Sequence, residues 1–224
     1  MFIIVPTDIA DDSPRRGVPI ANGLIVATNV LAYFFSVYLP VGPGSSLVSI
    51  VGYSFTHAEV GRLLVDRWTL LIVGNAVNRR IGDAYYAIGY FGAVVALGLV
   101  ARCCTDSWLV GSSGGVFAVV AAMAILMPAA RVKFSYAVLF PLTLPLGVLK
   151  RPPHWLCWFV RWDTIALRAW LCLMLVPALQ FIGLLWWQWN WTNLAHLFGF
   201  FCGVALVLLL PDRVSMPNRS RFQF

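Results

Sequence analysis

Charged residues are scarce in this 224-residue chain: they make up 11% of the sequence, whereas hydrophobic residues make up 60%. Average soluble domains carry about 25% charged residues. The mean hydropathy of +0.81 indicates far more apolar surface than one soluble core of this length buries. The missing charges leave long uncharged stretches, which is the pattern of membrane spans. The composition therefore excludes a soluble globular domain and predicts a single membrane domain.

The sequence also lacks the patterns of a metal protein or a nucleic-acid-binding protein. Its five cysteines show no C-x-x-C pair or other metal-ligand spacing, so we interpret them as small apolar packing residues. The net charge of +7 would suggest nucleic acid in a soluble protein. Here the basic residues fall between apolar spans, where they set membrane orientation instead. No repeat, low-complexity tract or linker divides the chain.

Six apolar segments meet the requirement of about 20 mostly apolar residues for a membrane-spanning helix. They are roughly 20–39, 60–78, 84–102, 113–130, 164–187 and 193–211. The predicted fold class is therefore all-α, a polytopic membrane protein with a six-transmembrane-helix bundle. We predict a short cytoplasmic N-terminal arm at 1–19, the membrane domain at 20–211 and a cytoplasmic tail at 212–224.

The orientation follows from the basic residues. With both termini in the cytoplasm, all but three of the sixteen Lys and Arg residues lie on the cytoplasmic side. The exceptions fall in or near the outer halves of the second and third spans and are Arg62, Arg67 and Arg102. The arm is acidic before Arg15 and Arg16, unlike the basic start of a cleaved signal peptide, so we expect it to be retained.

Three further segments are predicted to lie near the membrane surfaces. Phe134–Val148 is apolar but contains two prolines between basic flanks, so we expect it to lie along the cytoplasmic face without crossing. The loop 40–56 has no Lys or Arg and is expected to lie partly in the outer leaflet. The four tryptophans Trp186, Trp187, Trp189 and Trp191 are typical of an interfacial aromatic belt.

Polar side chains within a membrane domain are energetically costly and therefore indicate function. The predicted topology brings Ser113 at the start of the fourth span and His196 in the sixth span to the outer leaflet. His57, Arg62 and Asp66 approach the second span from the same side. A serine hydroxyl becomes a good nucleophile when a base takes its proton, and neutral histidine suits that task near neutral pH. The sequence therefore favours a catalytic Ser–His pair.

Glycines surround Ser113 in the segment 111–115, where a helix start offers unpaired N–H groups to a developing oxyanion. A structural interpretation stays open, because Gly111 and Gly115, like Gly199 and Gly203, also have the small-xxx-small spacing of packed helices. A single membrane histidine is also often only a hydrogen-bonded packing residue. The convergence of these groups on one leaflet favours catalysis.

Two motifs resemble those of the rhomboid family. Gly111-Ser112-Ser113-Gly114 matches the family's G-x-S-G on the fourth helix. Its A-H-x-x-G-x-x-x-G on the sixth helix is matched by Ala195, His196, Gly199 and Gly203. Residues 74–82 also resemble the family's G-x-x-V-E-x-R-L-G stretch after helix 2, with Asn78 at the glutamate position. The resemblance extends over residues 18–211.

The resemblance implies an intramembrane serine endopeptidase that cleaves transmembrane segments with a Ser–His dyad and no metal or cofactor. Ser113 would be the nucleophile and His196 the base, with Gly199 and Gly203 letting helix 6 approach helix 4. Its substrates would be transmembrane proteins within the lipid bilayer, and nucleic acid would not be a partner. We expect a multi-pass protein of the bacterial inner membrane, while the oligomeric state stays open.

The second helix departs from the family pattern. Members usually carry H-x-x-x-N there, as support for the oxyanion hole, and this chain has Arg62 and Asp66 at those positions. His57 matches the histidine that precedes them, while Gly111 and Gly114 flank the nucleophile. We favour an i,i+4 ion pair between Arg62 and Asp66. The alternative is that the Arg62 guanidinium donates to the oxyanion.

Two other function classes remain as alternatives. The first is a catalytically weak or inactive rhomboid-like protein that binds transmembrane helices, which the altered second helix would explain. The second is a transporter or channel, which is weaker because the spans lack the paired charges and broken helices of an ion path.

Overall fold

The computed structural model describes residues 2–10, 17–139, 143, 154, 159–186 and 191–211. The helices within this part are α1 Ile20–Phe34, α2 Ser49–Gly52, α3 Val60–Thr69, α4 Asn75–Ile81, α5 Asp83–Cys104, α6 Ser113–Leu126, α7 Cys172–Trp186 and α8 Trp191–Leu209. The strands are β1 Phe2–Ala10, β2 Arg131–Leu139 and β3 Val160–Arg168. A π-helical turn, Leu70–Gly74, joins α3 to α4, and short 3-10 turns lie at Tyr53–Phe55 and Ala169–Leu171.

Helices lie in all six predicted apolar segments, and α3, the π turn and α4 form one uninterrupted helical stretch. The mostly helical class is thus confirmed. Among the described residues, two helices, α5 and α8, are long and apolar enough to cross a membrane. Helices α1 and α6 and the segment Ala169–Leu185 are apolar but shorter. The count of six membrane spans therefore stays a prediction.

A three-stranded antiparallel sheet in the order β1-β2-β3 adds to the helices. Strand β1 pairs with β2 from Phe2 opposite Val138 to Ala10 opposite Arg131. Strand β2 pairs with β3 from Arg131 opposite Arg168 to Leu139 opposite Val160. The all-α prediction is wrong at these strands, which occupy most of the first half of the predicted arm and the start of the predicted interfacial segment.

The sheet also changes the fifth predicted span, because residues 164–168 belong to β3 and α7 begins at Cys172. Polar and apolar residues alternate from Arg131 to Tyr136, and this alternation is typical of a β-strand. It does not appear as a long apolar run, so the hydropathy pattern did not predict the strand. The remainder of the interfacial segment lies almost entirely outside the described residues. So do Trp187, Trp189 and the predicted tail 212–224.

Helices α6 and α8 pack with their backbones in contact. A Cβ atom built on Gly199 would lie 2.2 Å from the carbonyl oxygen of Gly114, and one built on Gly203 would lie 2.2 Å from that of Ala118. These distances leave no space for a side chain, so the two glycines permit the close approach. The contact joins the first turns of α6 to the middle of α8.

A buried amide network joins α1 to the stretch from α3 to α5. The Asn22 side chain donates to the carbonyl of Leu70 in the π turn at 2.7 Å and accepts from the Tyr86 hydroxyl at 2.6 Å. The Asn22 N–H donates to Asn78 Oδ1 at 2.9 Å, and Asn78 in turn donates to Asp83. Because buried polar groups need partners, this network holds the helix that carries Asp66 in a defined position.

Candidate active site

The loop that precedes α6 positions Ser113 at the first residue of the helix. Gly111 has a φ of +111°, a conformation that favours glycine because it has no Cβ atom. The Gly111 N–H donates to the carbonyl of Tyr53 at 3.0 Å, and the buried Tyr53 hydroxyl donates to the carbonyl of Val94 at 2.9 Å. Through Tyr53, these hydrogen bonds connect the loop to α5 and fix the position at which α6 begins.

The His196 side chain lies on α8 and contacts both neighbouring helices. Its imidazole stacks on the Phe117 ring, with centroids 4.2 Å apart and planes inclined by 9°. Phe117 lies one helical turn after Ser113, so both are on the same face of α6. The Nδ1 atom of His196 is 3.1 Å from Oε1 of Gln180 on α7. The imidazole is thus held by an aromatic ring on one side and by an amide on the other.

Ser113 and His196 lie on packed helices but are not hydrogen-bonded to each other in this structure; the hydrogen bond of the imidazole is to Gln180. Proton transfer requires donor and acceptor about 2.6–3.2 Å apart, and such contacts often tighten only when the substrate binds. The arrangement therefore places a hydroxyl and an imidazole on neighbouring helices, without a hydrogen bond between them.

A second polar cluster surrounds the Ser112 hydroxyl, and we call His57, Asp66, Arg67 and Ser112 the Ser112 cluster. The Ser112 hydroxyl donates to Asp66 Oδ2 at 2.7 Å, and His57 Nε2 lies 3.2 Å from it. Arg67 Nη2 donates to the same hydroxyl and lies 3.9 Å from Asp66 Oδ2. The side chains of His57, Asp66 and Arg67 are 1%, 15% and 5% exposed. The cluster is therefore almost completely withdrawn from solvent.

The Ser112 cluster contains a serine, a histidine and an aspartate, but it does not have the geometry of a catalytic triad. In a triad the carboxylate binds the imidazole nitrogen that does not face the serine. Here Asp66 Oδ2 is 3.5 Å from His57 Nε2, the nitrogen that already faces Ser112, and His57 Nδ1 has no partner within the described part of the chain. Ser112 is also only 1% exposed, which prevents a substrate from reaching it. The geometry indicates positioning by this cluster.

The predicted ion pair between Arg62 and Asp66 is wrong. Arg62 instead pairs with Glu59 at 3.4 Å, and both side chains are about two-thirds exposed, at 65% and 66%. Its guanidinium is therefore held on the exposed side of α3 by Glu59. The cation next to Asp66 is Arg67, because packing of α3 against the loop before α6 turns Asp66 inward, where the Arg67 side chain reaches it.

The sequence interpretation missed four residues of the site: Arg67, Ser112, Phe117 and Gln180. Arg67 was one of the three basic residues that the topology left unexplained, and a charge at membrane depth is by itself a functional signal. Gln180 is a polar side chain in the fifth apolar segment and carries the same signal. Ser112 and Phe117 have no such signal, since their roles depend on the packing of neighbouring helices.

These features define a class of protein: a helical membrane protein with a serine at a helix start packed against a histidine-bearing helix. A family model, the Rhomboid domain, matches residues 44–213. Because the match covers well over half of the chain, the protein belongs to the rhomboid family, which confirms the resemblance, and it is an integral membrane protein. Rhomboids are generally intramembrane serine proteases, and the family includes inactive members. No curated protein and no solved structure matches the chain.

Proposed function

We propose that this protein is an intramembrane serine endopeptidase that cleaves transmembrane segments of membrane proteins, with Ser113 as nucleophile and His196 as general base. The contact between α6 and α8 carries the proposal. Gly199 lies against Gly114, so the turns that bear the hydroxyl and the imidazole are neighbours. The stacking of His196 on Phe117, one turn from Ser113, supports the same pairing.

The reaction follows from the two hydrogen-bonding sides of the imidazole. With Nδ1–H donating to Gln180, the Nε2 lone pair is free to accept the Ser113 proton. The Ser113 Oγ attacks the scissile carbonyl carbon, and the first-turn N–H groups of α6 stabilise the oxyanion. The imidazolium returns the proton to the leaving amine as the C–N bond breaks. Water then hydrolyses the acyl-enzyme by the same route.

We place this reaction in a membrane domain over residues 20–211, with the arm 1–19 and the tail 212–224 in the cytoplasm. The distribution of the basic residues supports this orientation, since most of them flank the predicted cytoplasmic ends of the spans. The site then opens toward the outer leaflet. Its substrates are transmembrane proteins of a bacterial inner membrane.

A fluorophosphonate probe tests this proposal directly. The Ser113 Oγ displaces fluoride from phosphorus, and peptide mapping by mass spectrometry identifies the serine that carries the phosphonyl group. We expect the adduct on Ser113 in the wild-type protein and no adduct in Ser113→Ala or His196→Ala. A reporter with a helix-destabilised transmembrane segment should be cleaved by the wild type and left intact by Ser113→Ala. Equal cleavage by both proteins would disprove the assignment, and an adduct on Ser112 would transfer the role to the neighbouring serine.

The second candidate function is a rhomboid-like protein that binds transmembrane helices without cleaving them. Two observations favour it: no hydrogen bond joins Ser113 to His196, and the Asp66 carboxylate lies beside the residue that precedes Ser113. Co-purification of a transmembrane peptide with a protein that does not react with the probe would support this function over proteolysis.

A further inference from the structure

The start of helix α6 lacks the side-chain cap that its sequence makes available. A serine at the N-cap position usually accepts a hydrogen bond from an N–H group of the first turn. Ser112 occupies this position but makes no such bond. Its hydroxyl is engaged by Asp66, His57 and Arg67, which satisfy both its donor and its acceptor capacity. The first-turn N–H groups next to Ser113 are therefore left without that partner.

The same arrangement places a carboxylate close to the proposed oxyanion site. Asp66 Oδ2 is 2.7 Å from the hydroxyl of Ser112, the residue directly before Ser113. A negative charge at this depth opposes the negative charge that develops on the substrate carbonyl oxygen, because screening by water is weak there. The Arg67 guanidinium, 3.9 Å from Asp66 Oδ2, is the charge that balances it.

Arg67 is not fully satisfied by this pairing. Its Nε and Nη1 atoms are buried and have no hydrogen-bond partner among the described residues, and the same holds for His57 Nδ1. Among the described residues the guanidinium charge therefore acts mainly on Asp66 and on the Ser112 hydroxyl.

We propose that Arg67 is a positioning residue for the proteolysis proposed above, on which this inference rests. With Asp66 it holds the Ser112 hydroxyl away from the first turn of α6 and balances the carboxylate. The N–H groups next to Ser113 then bind the oxyanion in an environment without net negative charge. Arg67 acts through Ser112 and Asp66, and contact with the substrate is not required.

The test compares Arg67→Gln, Asp66→Asn and the double variant, each purified in the same detergent. The fluorophosphonate inactivation of Ser113 is resolved into its limiting rate and its half-saturating concentration. Arg67→Gln leaves the Asp66 charge unbalanced and should lower the limiting rate about tenfold to a hundredfold, with the half-saturating concentration within about twofold. Adding Asp66→Asn removes that charge and should restore most of the rate, even if the thermal stability stays low.

Arg131→Gln is the control, because it removes one exposed positive charge beyond the opposite end of α6 from Ser113 and should leave the rate unchanged. If Arg67→Gln does not fold, Arg67→Lys replaces it. Lysine keeps the charge, so we expect a rate within about threefold of wild type, and a loss greater than about tenfold overturns the charge-balancing role.

The outcomes separate this inference from the proposed function. Wild-type protein that is never labelled at Ser113 overturns both. If the wild type is labelled at Ser113 but the double variant reacts as slowly as Arg67→Gln, only the role of Arg67 is overturned. An Arg67→Gln variant that loses thermal stability while keeping the wild-type rate also overturns only that role, because that result assigns Arg67 a purely structural function.

Discussion

The contact between Gly199 and Gly114 allows a quantitative prediction for Gly199→Ala. The added Cβ atom would lie 2.2 Å from the Gly114 carbonyl oxygen and 2.8 Å from the Gly114 Cα. Carbon and oxygen atoms in contact are normally about 3.3 Å or more apart, so α6 and α8 must separate by about 1 Å. Overpacking of this kind destabilises a protein by about 1–3 kcal/mol.

The same displacement moves His196, one turn before Gly199, away from Ser113. A misplacement of about 1 Å lowers the rate of an enzyme by about a hundredfold, so we expect that loss in probe labelling and reporter cleavage. Gly92→Ala on α5 is the matched control, since a Cβ atom there meets nothing within 4 Å. This control should keep its activity and gain up to about 1 kcal/mol from the better helix propensity of alanine. A Gly199→Ala protein with wild-type labelling and thermal stability would refute the packing argument.

Two further substitutions test the parts of the structure that position the site. Gln180→Leu removes the acceptor of the His196 Nδ1–H, so we expect labelling of Ser113 to slow about tenfold or more at an unchanged half-saturating concentration; a wild-type rate would show that Gln180 does not orient the imidazole. Asn22→Leu leaves the Leu70 carbonyl and the Tyr86 hydroxyl without their partner, and should destabilise the protein by about 2–5 kcal/mol, measured by thermal unfolding in detergent. A transition within about 1 °C of wild type would contradict the structural role of this network.

Much of the helical part of the structure was predictable, because hydropathy and motif spacing are local properties of the chain. The apolar segments begin close to the observed helices at Ile20, Val60, Ser113 and Trp191. The sheet was less accessible, since β1 finds its partner β2 more than a hundred residues away, with Thr7 bonded to Lys133 across 126 positions. Short alternating segments do not reveal such pairing by themselves.

The electrostatics of the site were the least predictable feature. The four-residue spacing of Arg62 and Asp66 favours an ion pair on an isolated helix. In the folded protein Asp66 is turned toward Ser112, while Arg62 stays exposed and pairs with Glu59. Residue spacing predicts which side chains share a helix face, but it does not predict which polar groups of a neighbouring element contact that face.

The sequence by itself determined the apolar helices, the family and the motifs that contain Ser113 and His196, because each of these depends only on residue type and local spacing. Only the tertiary structure decided that His196 is held by Phe117 and Gln180, and that Arg67 is the cation which balances Asp66. The physical reason is that hydrogen bonds and buried charges depend on which surfaces meet when distant helices pack, and no local pattern contains that information.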